Sequence, residues 1–178
     1  MKLPFLLITL LFSTIIIAQP STALEENKPT TVDGIELGYR INKESTKKSG
    51  GDEYARYVIN IYAINKSGCS LRYYLKNNSY TSSYETNEDN LVATFYIRNA
   101  NGKRLTNTKG TLNAKEWWLP IKTTKKDSDG KDIVVMQDMQ AGYIFRKGDQ
   151  LSNDIIVLVP LGERPKVEVA LKYNINMD

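Results

Sequence analysis

The chain of 178 residues contains no histidine. That excludes serine and cysteine nucleophiles that depend on an imidazole base. It also removes the usual ligand of zinc, copper and non-haem iron. The single cysteine, Cys69, can build neither a thiolate cage nor an internal disulfide. Long apolar runs are missing after residue 24, so nothing there matches the roughly 20 apolar residues of a spanning helix. Neither sign of charge dominates: 24 Lys and Arg face 20 Asp and Glu, a formal net charge of +4. The basic residues are scattered among acidic ones, which describes a solvated surface and not a nucleic-acid footprint. No cofactor is expected.

Two short motifs fail on spacing. Ser45-Thr46-Lys47-Lys48 matches S-x-x-K, but it lies in a polar, glycine-flanked stretch, whereas that chemistry holds Ser and Lys on one helix face. DSDGKD (127–132) has glycine at the fourth position where a calcium loop needs it at the sixth, and Lys125, Lys126 and Lys131 repel a cation. A hairpin turn is the expectation there. Paired carboxylates for glycoside hydrolysis need not be close in sequence, and no particular pair stands out.

What is present begins with an export signal. Lys2, a mainly apolar run over 3–17, and small residues around Ser21-Thr22-Ala23 form the three regions of a secretory signal peptide. Cleavage is expected after Ala23, with Ala18 as the rival site. Export without paired cysteines fits a bacterial periplasmic or extracellular protein that relies on its core. The chain is not expected to span a membrane once the signal is removed.

After the signal, period-two alternation replaces any helical period. Ile35, Leu37, Tyr39 and Ile41 form one series. Tyr57, Ile59, Ile61 and Ala63 form a second, Leu91, Ala93, Phe95 and Ile97 a third, and Val167, Val169, Leu171, Tyr173 and Ile175 a fourth. Each reads as a half-buried β-strand. Shorter candidates span 116–121, 132–138, 142–146 and 154–159. Asn101-Gly102 and Asp129-Gly130 suit hairpin turns, because such pairs adopt positive φ readily. The expectation is an all-β fold, a two-sheet antiparallel β-sandwich of about 8–10 short strands, with a closed barrel as the alternative. Residues 1–23 are assigned to the signal peptide, 24–33 to a flexible lead and 34–178 to a single domain. The polar stretches 42–53 and 76–90 are expected to be long loops.

Aromatic residues are plentiful, with 11 tyrosines and 2 tryptophans. Trp117 shares parity with Leu119 and Ile121 and is assigned to the core, which leaves Trp118 outside. The outer faces of the early strands carry Arg40, Arg56, Arg72 and Arg98 with Tyr62, Tyr74 and Tyr96. Arg and Tyr bring contact area with few rotatable bonds, so these positions and Trp118 are the candidate binding residues. The same residues also form ordinary cross-strand pairs on solvated sheets. Cys69 shares parity with Leu71, Tyr73 and Leu75, so it is expected to be buried and free.

In pattern, YVINIYAINKSG, an alternating strand ending at Asn65 before Ser67-Gly68, resembles the second strand of immunoglobulin-like sandwiches in small secreted bacterial proteins. IIVLVPLGERPKVEVALKY resembles the end of such domains. The resemblance covers most of 34–175 and implies a fold more than an activity. NKPTT (27–31) and Arg164-Pro165 also resemble two motifs of chagasin-like protease inhibitors, although the first precedes the first strand and Lys166 stands where an aromatic is expected. These features point to a non-enzymatic exported binding or accessory module for a protein or envelope component. The alternatives are a carbohydrate-binding domain using Trp118, Tyr80 and Tyr84, and a secreted protease inhibitor.

Overall fold

The computed structural model describes residues 21–73, 90–100 and 104–172, with the backbone alone over 104–108. Among these residues the chain is all-β, with eleven strands and no helix. In order they are β1 (Thr22–Leu24), β2 (Thr30–Val32), β3 (Ile35–Ser49), β4 (Asp52–Asn65), β5 (Leu71–Tyr73) and β6 (Leu91–Arg98). β7 (Arg104–Asn113), β8 (Lys115–Lys126), β9 (Asp132–Phe145), β10 (Gln150–Pro160) and β11 (Lys166–Leu171) follow. They form three antiparallel sheets where two were expected: β1-β11-β6-β7, β10-β4-β3-β2 and β5-β9-β8.

The alternation read from the sequence sets the inner faces. Tyr57, Ile59, Ile61 and Ala63 are each at most 2% exposed, and Ile35, Leu37 and Tyr39 are buried beside them. Ala93, Phe95 and Ile97 on β6 and Val167, Val169 and Leu171 on β11 supply the opposing face. The two four-stranded sheets thus share one core in a β-sandwich-like arrangement. Leu71, Tyr73 and Phe145 join that core from the third sheet.

Several expectations need correction. Residues 24–33, read as a flexible lead, hold the end of β1 and all of β2. Leu24 pairs with Val167 in one four-stranded sheet, and Thr30 pairs with Leu37 in the other, so this stretch bridges the two. The polar stretch 42–53 is no loop: β3 and β4 pair out to Ser49↔Asp52 around Gly50 and Gly51, whose φ angles are 63° and 93°. Positive φ at both central residues suits a tight turn that follows the strand twist. The alternation is lost there because the hairpin runs past the core and both of its faces meet water. A bulge between Ile41 and Lys43 also switches faces, so Glu44 comes to lie 3.1 Å from the Tyr57 hydroxyl.

Strand lengths depart from expectation too, with 15 residues in β3 and 14 each in β4 and β9. The expected hairpin at 127–132 is present. Asp127 Oδ1 accepts the backbone N–H of Asp129 at 3.0 Å and of Lys131 at 2.9 Å, and Gly130 takes φ 77°. Asn101-Gly102 lies outside the described residues, although the flanking β6 and β7 pair antiparallel. Most of the second polar stretch, 76–90, also lies outside them.

Cys69 is exposed, not buried. The strand begins at Leu71, two residues later than the parity argument required. Residues 65–70 instead form a turn around the Asn65 side chain, whose Nδ2 donates to the Cys69 carbonyl at 3.1 Å. Cys69 therefore sits on the turn and not on an inward-facing strand position.

Candidate functional site

The residues expected to form one binding face are divided among three sheets. Arg40, Arg56 and Tyr62 stand on the outer face of β10-β4-β3-β2, with about 20 Å of strand between Arg56 and Tyr62. Tyr96 and Arg98 belong to β6 in the other four-stranded sheet. Lys109 lies 5.6 Å above the Tyr96 ring, and Arg98 is 3.4 Å from Glu168, so both act as cross-strand partners there. Arg72 is on β5, with its guanidinium 4.9 Å from the Trp117 ring centroid. Tyr74, Tyr80 and Tyr84 lie outside the described residues. Of the inhibitor-like pair, Arg164 reaches Glu26 at 3.5 Å and Pro165 is buried.

Trp118 leads to a surface that alternation missed. β8 and β9 pair from Lys115↔Ile144 to Lys126↔Asp132, whereas β5 pairs with β9 only over Tyr143, Ile144 and Phe145. Beyond Gly142 the hairpin is a two-stranded ribbon among the described residues. Of the seven exposed large hydrophobic residues among the described residues, five lie on it: Trp118, Leu119, Ile133, Val134 and Met136. Val134 is 69% exposed and Met136 61%. The register puts Trp118, Val134 and Met136 on one face and Leu119, Ile133 and Met139 on the other. Both faces therefore carry apolar residues among polar ones. A two-stranded ribbon is marginal in water by itself, and clustered exposed apolar side chains mark interaction sites.

Trp117 is half-buried and not a core residue, because among the described residues no second sheet packs on the ribbon at this point. A register shift between Trp117 and Trp118 interrupts β8 pairing, with Ala141 the extra residue on β9. The Trp118 indole N–H donates to Glu116 Oε2 at 2.9 Å, which holds the ring along the strand. β8 carries Lys115, Lys122, Lys125 and Lys126 against one glutamate. Lys115 is 3.6 Å from Asp149 and Lys126 is 3.3 Å from Asp132, while Lys122 and Lys125 have no carboxylate partner among the described residues. One signal in the sequence could have revealed the ribbon. Ile133, Val134, Val135 and Met136 are consecutive apolar residues, so a strand there must be apolar on both faces.

Arg40 and Tyr62 line a groove of about 310 Å³ with Asn27, Glu36, Ile64 and Gln150. Burial pushes the Tyr62 hydroxyl pKa up; Glu36 raises it further and Arg40 offsets part of the rise. Asn27 and Gln150 could not be found from local pattern, because they come from a turn and from β10, which only the fold brings beside β3 and β4. No protein-family model, curated protein or solved structure matches the chain.

Proposed function

We propose that the chain is an exported, non-enzymatic binding module of immunoglobulin-like sandwich type, which recognises a protein partner through the β8–β9 ribbon. The observation that carries this reading is the exposure of Trp118, Val134 and Met136 on a ribbon that extends beyond the shared core. Two lysines lack a carboxylate partner among the described residues: Lys122 stands opposite Met136 on that face, and Lys125 opposite Ile133 on the other. They favour a partner surface that is apolar with an acidic rim. The sandwich-like pairing of two four-stranded antiparallel sheets supports the immunoglobulin-like assignment, and the pattern over 1–23 supports export. No helix long and apolar enough to cross a membrane occurs among the described residues.

A photo-crosslinker at Val134 of the intact protein, expressed in its own cell, tests the surface. Discrete adducts are expected at Val134, and none at Lys48 on the polar tip of the β3–β4 hairpin. Trp118→Ala should lower the adduct yield about tenfold, the loss expected of an aromatic anchor. Lys122→Glu with Lys125→Glu should weaken it as well. An adduct pattern at Val134 no different from that at Lys48 rejects the ribbon as the contact surface.

β1 also bears on the export signal. Thr22 and Ala23 pair with Val169 and Glu168, and the Ser21 hydroxyl donates to Glu168 Oε2 at 3.3 Å. Cleavage after Ala23 would remove two of the three residues of β1, whereas cleavage after Ala18 would keep the strand whole. The mature protein is therefore expected to begin at Gln19. Intact-mass measurement of the exported protein reads this directly, and a mature start at Leu24 would refute it.

A further inference from the structure

We infer that the groove bounded by Tyr62 and Arg40 is a second binding site, separate from the ribbon, and that its ligand is a pyranose unit of a glycan. The geometry begins at Gly38, which pairs with Tyr62 across β3 and β4. A Cβ placed on Gly38 would come within 2.4 Å of the Tyr62 hydroxyl oxygen and 2.5 Å of Cζ. The phenol therefore lies down across the strand in space that only glycine leaves open. One side of the ring covers the Gly38 backbone. Tyr62 stays partly exposed and forms a wall of the groove, which offers a flat aromatic platform about the size of one sugar ring.

The polar groups around this platform match a polyol. Glu36 supplies a carboxylate, Arg40 a guanidinium, and Asn27 and Gln150 supply amides. Among the described residues, the side chains of Asn27, Arg40 and Gln150 have no hydrogen-bond partner. The nearest cation to Glu36 is Lys66 at 3.9 Å. Planar groups of this kind each address two neighbouring hydroxyls, and the C–H face of a pyranose packs on an aromatic ring. Next to Arg40, directly across the strand, Asn60 is 8% exposed and donates to Asp154 Oδ1 at 2.6 Å. Its Oδ1 is buried and has no hydrogen-bond partner among the described residues.

Other ligand classes fit less well. Glu36 repels a phosphate or nucleotide, and the lining is too polar for a lipid chain. One carboxylate is too few for a cation site. The groove volume lies at the lower end of the range for small-molecule sites, which suits a single ring.

The test is amide-resolved NMR of the intact mature protein, titrated separately with glucose, galactose, mannose, N-acetylglucosamine and glucuronate. At least one sugar is expected to shift the signals of Gly38, Arg40, Tyr62 and Gln150 and to leave those of Val134 and Met136 in place. Tyr62→Ala should weaken that binding about tenfold or more, whereas Tyr62→Phe, which keeps the ring, should retain most of it. Because Tyr62→Ala also uncovers Gly38, the exposed variants Arg40→Ala and Gln150→Ala give an independent reading, and each should weaken binding severalfold. The inference is overturned if no sugar shifts these signals, if the shifts centre on the ribbon, or if binding survives both exposed variants. A failure here leaves the crosslinking result at Val134 untouched, since the two surfaces share no residue.

Discussion

Asn65→Ala is expected to lower the stability of the protein by about 2–4 kcal/mol, the scale for breaking a buried hydrogen-bond network. Asn65 ends β4 and is only 1% exposed. Its Nδ2 donates to the Phe145 carbonyl at 2.8 Å and the Cys69 carbonyl at 3.1 Å. Its Oδ1 accepts from the Ser67 backbone N–H at 3.0 Å and the Ser67 hydroxyl at 2.5 Å. Its main chain adds two more bonds, donating to Asp149 O at 3.0 Å and accepting from Gly148 N–H at 2.8 Å. One side chain thus ties the 65–70 turn to the end of β9, and its backbone ties β4 to the turn before β10. Alanine would leave a buried carbonyl at Phe145 without its donor. Urea denaturation should show a lower midpoint with an unchanged slope. Ser67→Ala is the control: water can reach that hydroxyl, so a loss below about 1 kcal/mol is expected. If the two variants lose the same small amount, Asn65 is not the joint described here.

The second large effect is expected at Gly110, which pairs with Phe95 across β6 and β7 and is buried. A Cβ on Gly110 would fall 2.0 Å from Ile155 Cδ1 and 2.8 Å from Ile61 Cδ1. Those two isoleucines belong to the opposing sheet, so Gly110 marks a close approach of the two layers. Gly110→Ala should cost about 1–3 kcal/mol through overpacking, and Gly110→Val should cost more. Ile155→Val removes the closest carbon. Combined with Gly110→Ala, it should cost less than the sum of the two single changes, a coupling that a double-mutant cycle measures directly. Additive losses would mean that β7 moves away instead of meeting Ile155.

The inner faces of the sandwich are legible in the amino-acid pattern alone. Ile59 and Ile61 on β4, Phe95 and Ile97 on β6, and Val167 and Val169 on β11 alternate with polar residues, and all are buried as that pattern requires. A half-buried strand writes its burial into every second residue, so a local pattern suffices. The hairpin turn at 127–130 is legible for a similar reason, since an aspartate and a glycine specify it locally.

The outer ends of the hairpins are not legible in this way. Residues 42–53 carry no alternation because both faces of that hairpin meet solvent, and they read as a loop. Residues 132–138 carry apolar residues on both faces, and they read only as a short strand candidate. Pairing supplies the missing information in each case, because backbone hydrogen bonds form regardless of what the side chains face. At Cys69 the parity argument misses by two residues: parity gives the side of a strand but not the residue where it starts, and the Asn65 side chain sets that start by claiming the Cys69 carbonyl.

The candidate sites divide along the same line. Arg40, Tyr62 and Trp118 stand out in the sequence as residue types suited to binding, whereas the separation of Trp118 from the other two onto a different sheet depends on strand order. Asn27, Glu36 and Gln150 gather around Tyr62 only because β2 and β10 flank β3 and β4. By itself the sequence determined the all-β class, the buried face of each core strand and the exclusion of histidine-based chemistry, all of which follow from residue type and near-neighbour spacing. Tertiary structure alone decided which outer faces share a sheet, where the ribbon leaves the core and what lines the groove, because those depend on contacts between residues far apart in the chain.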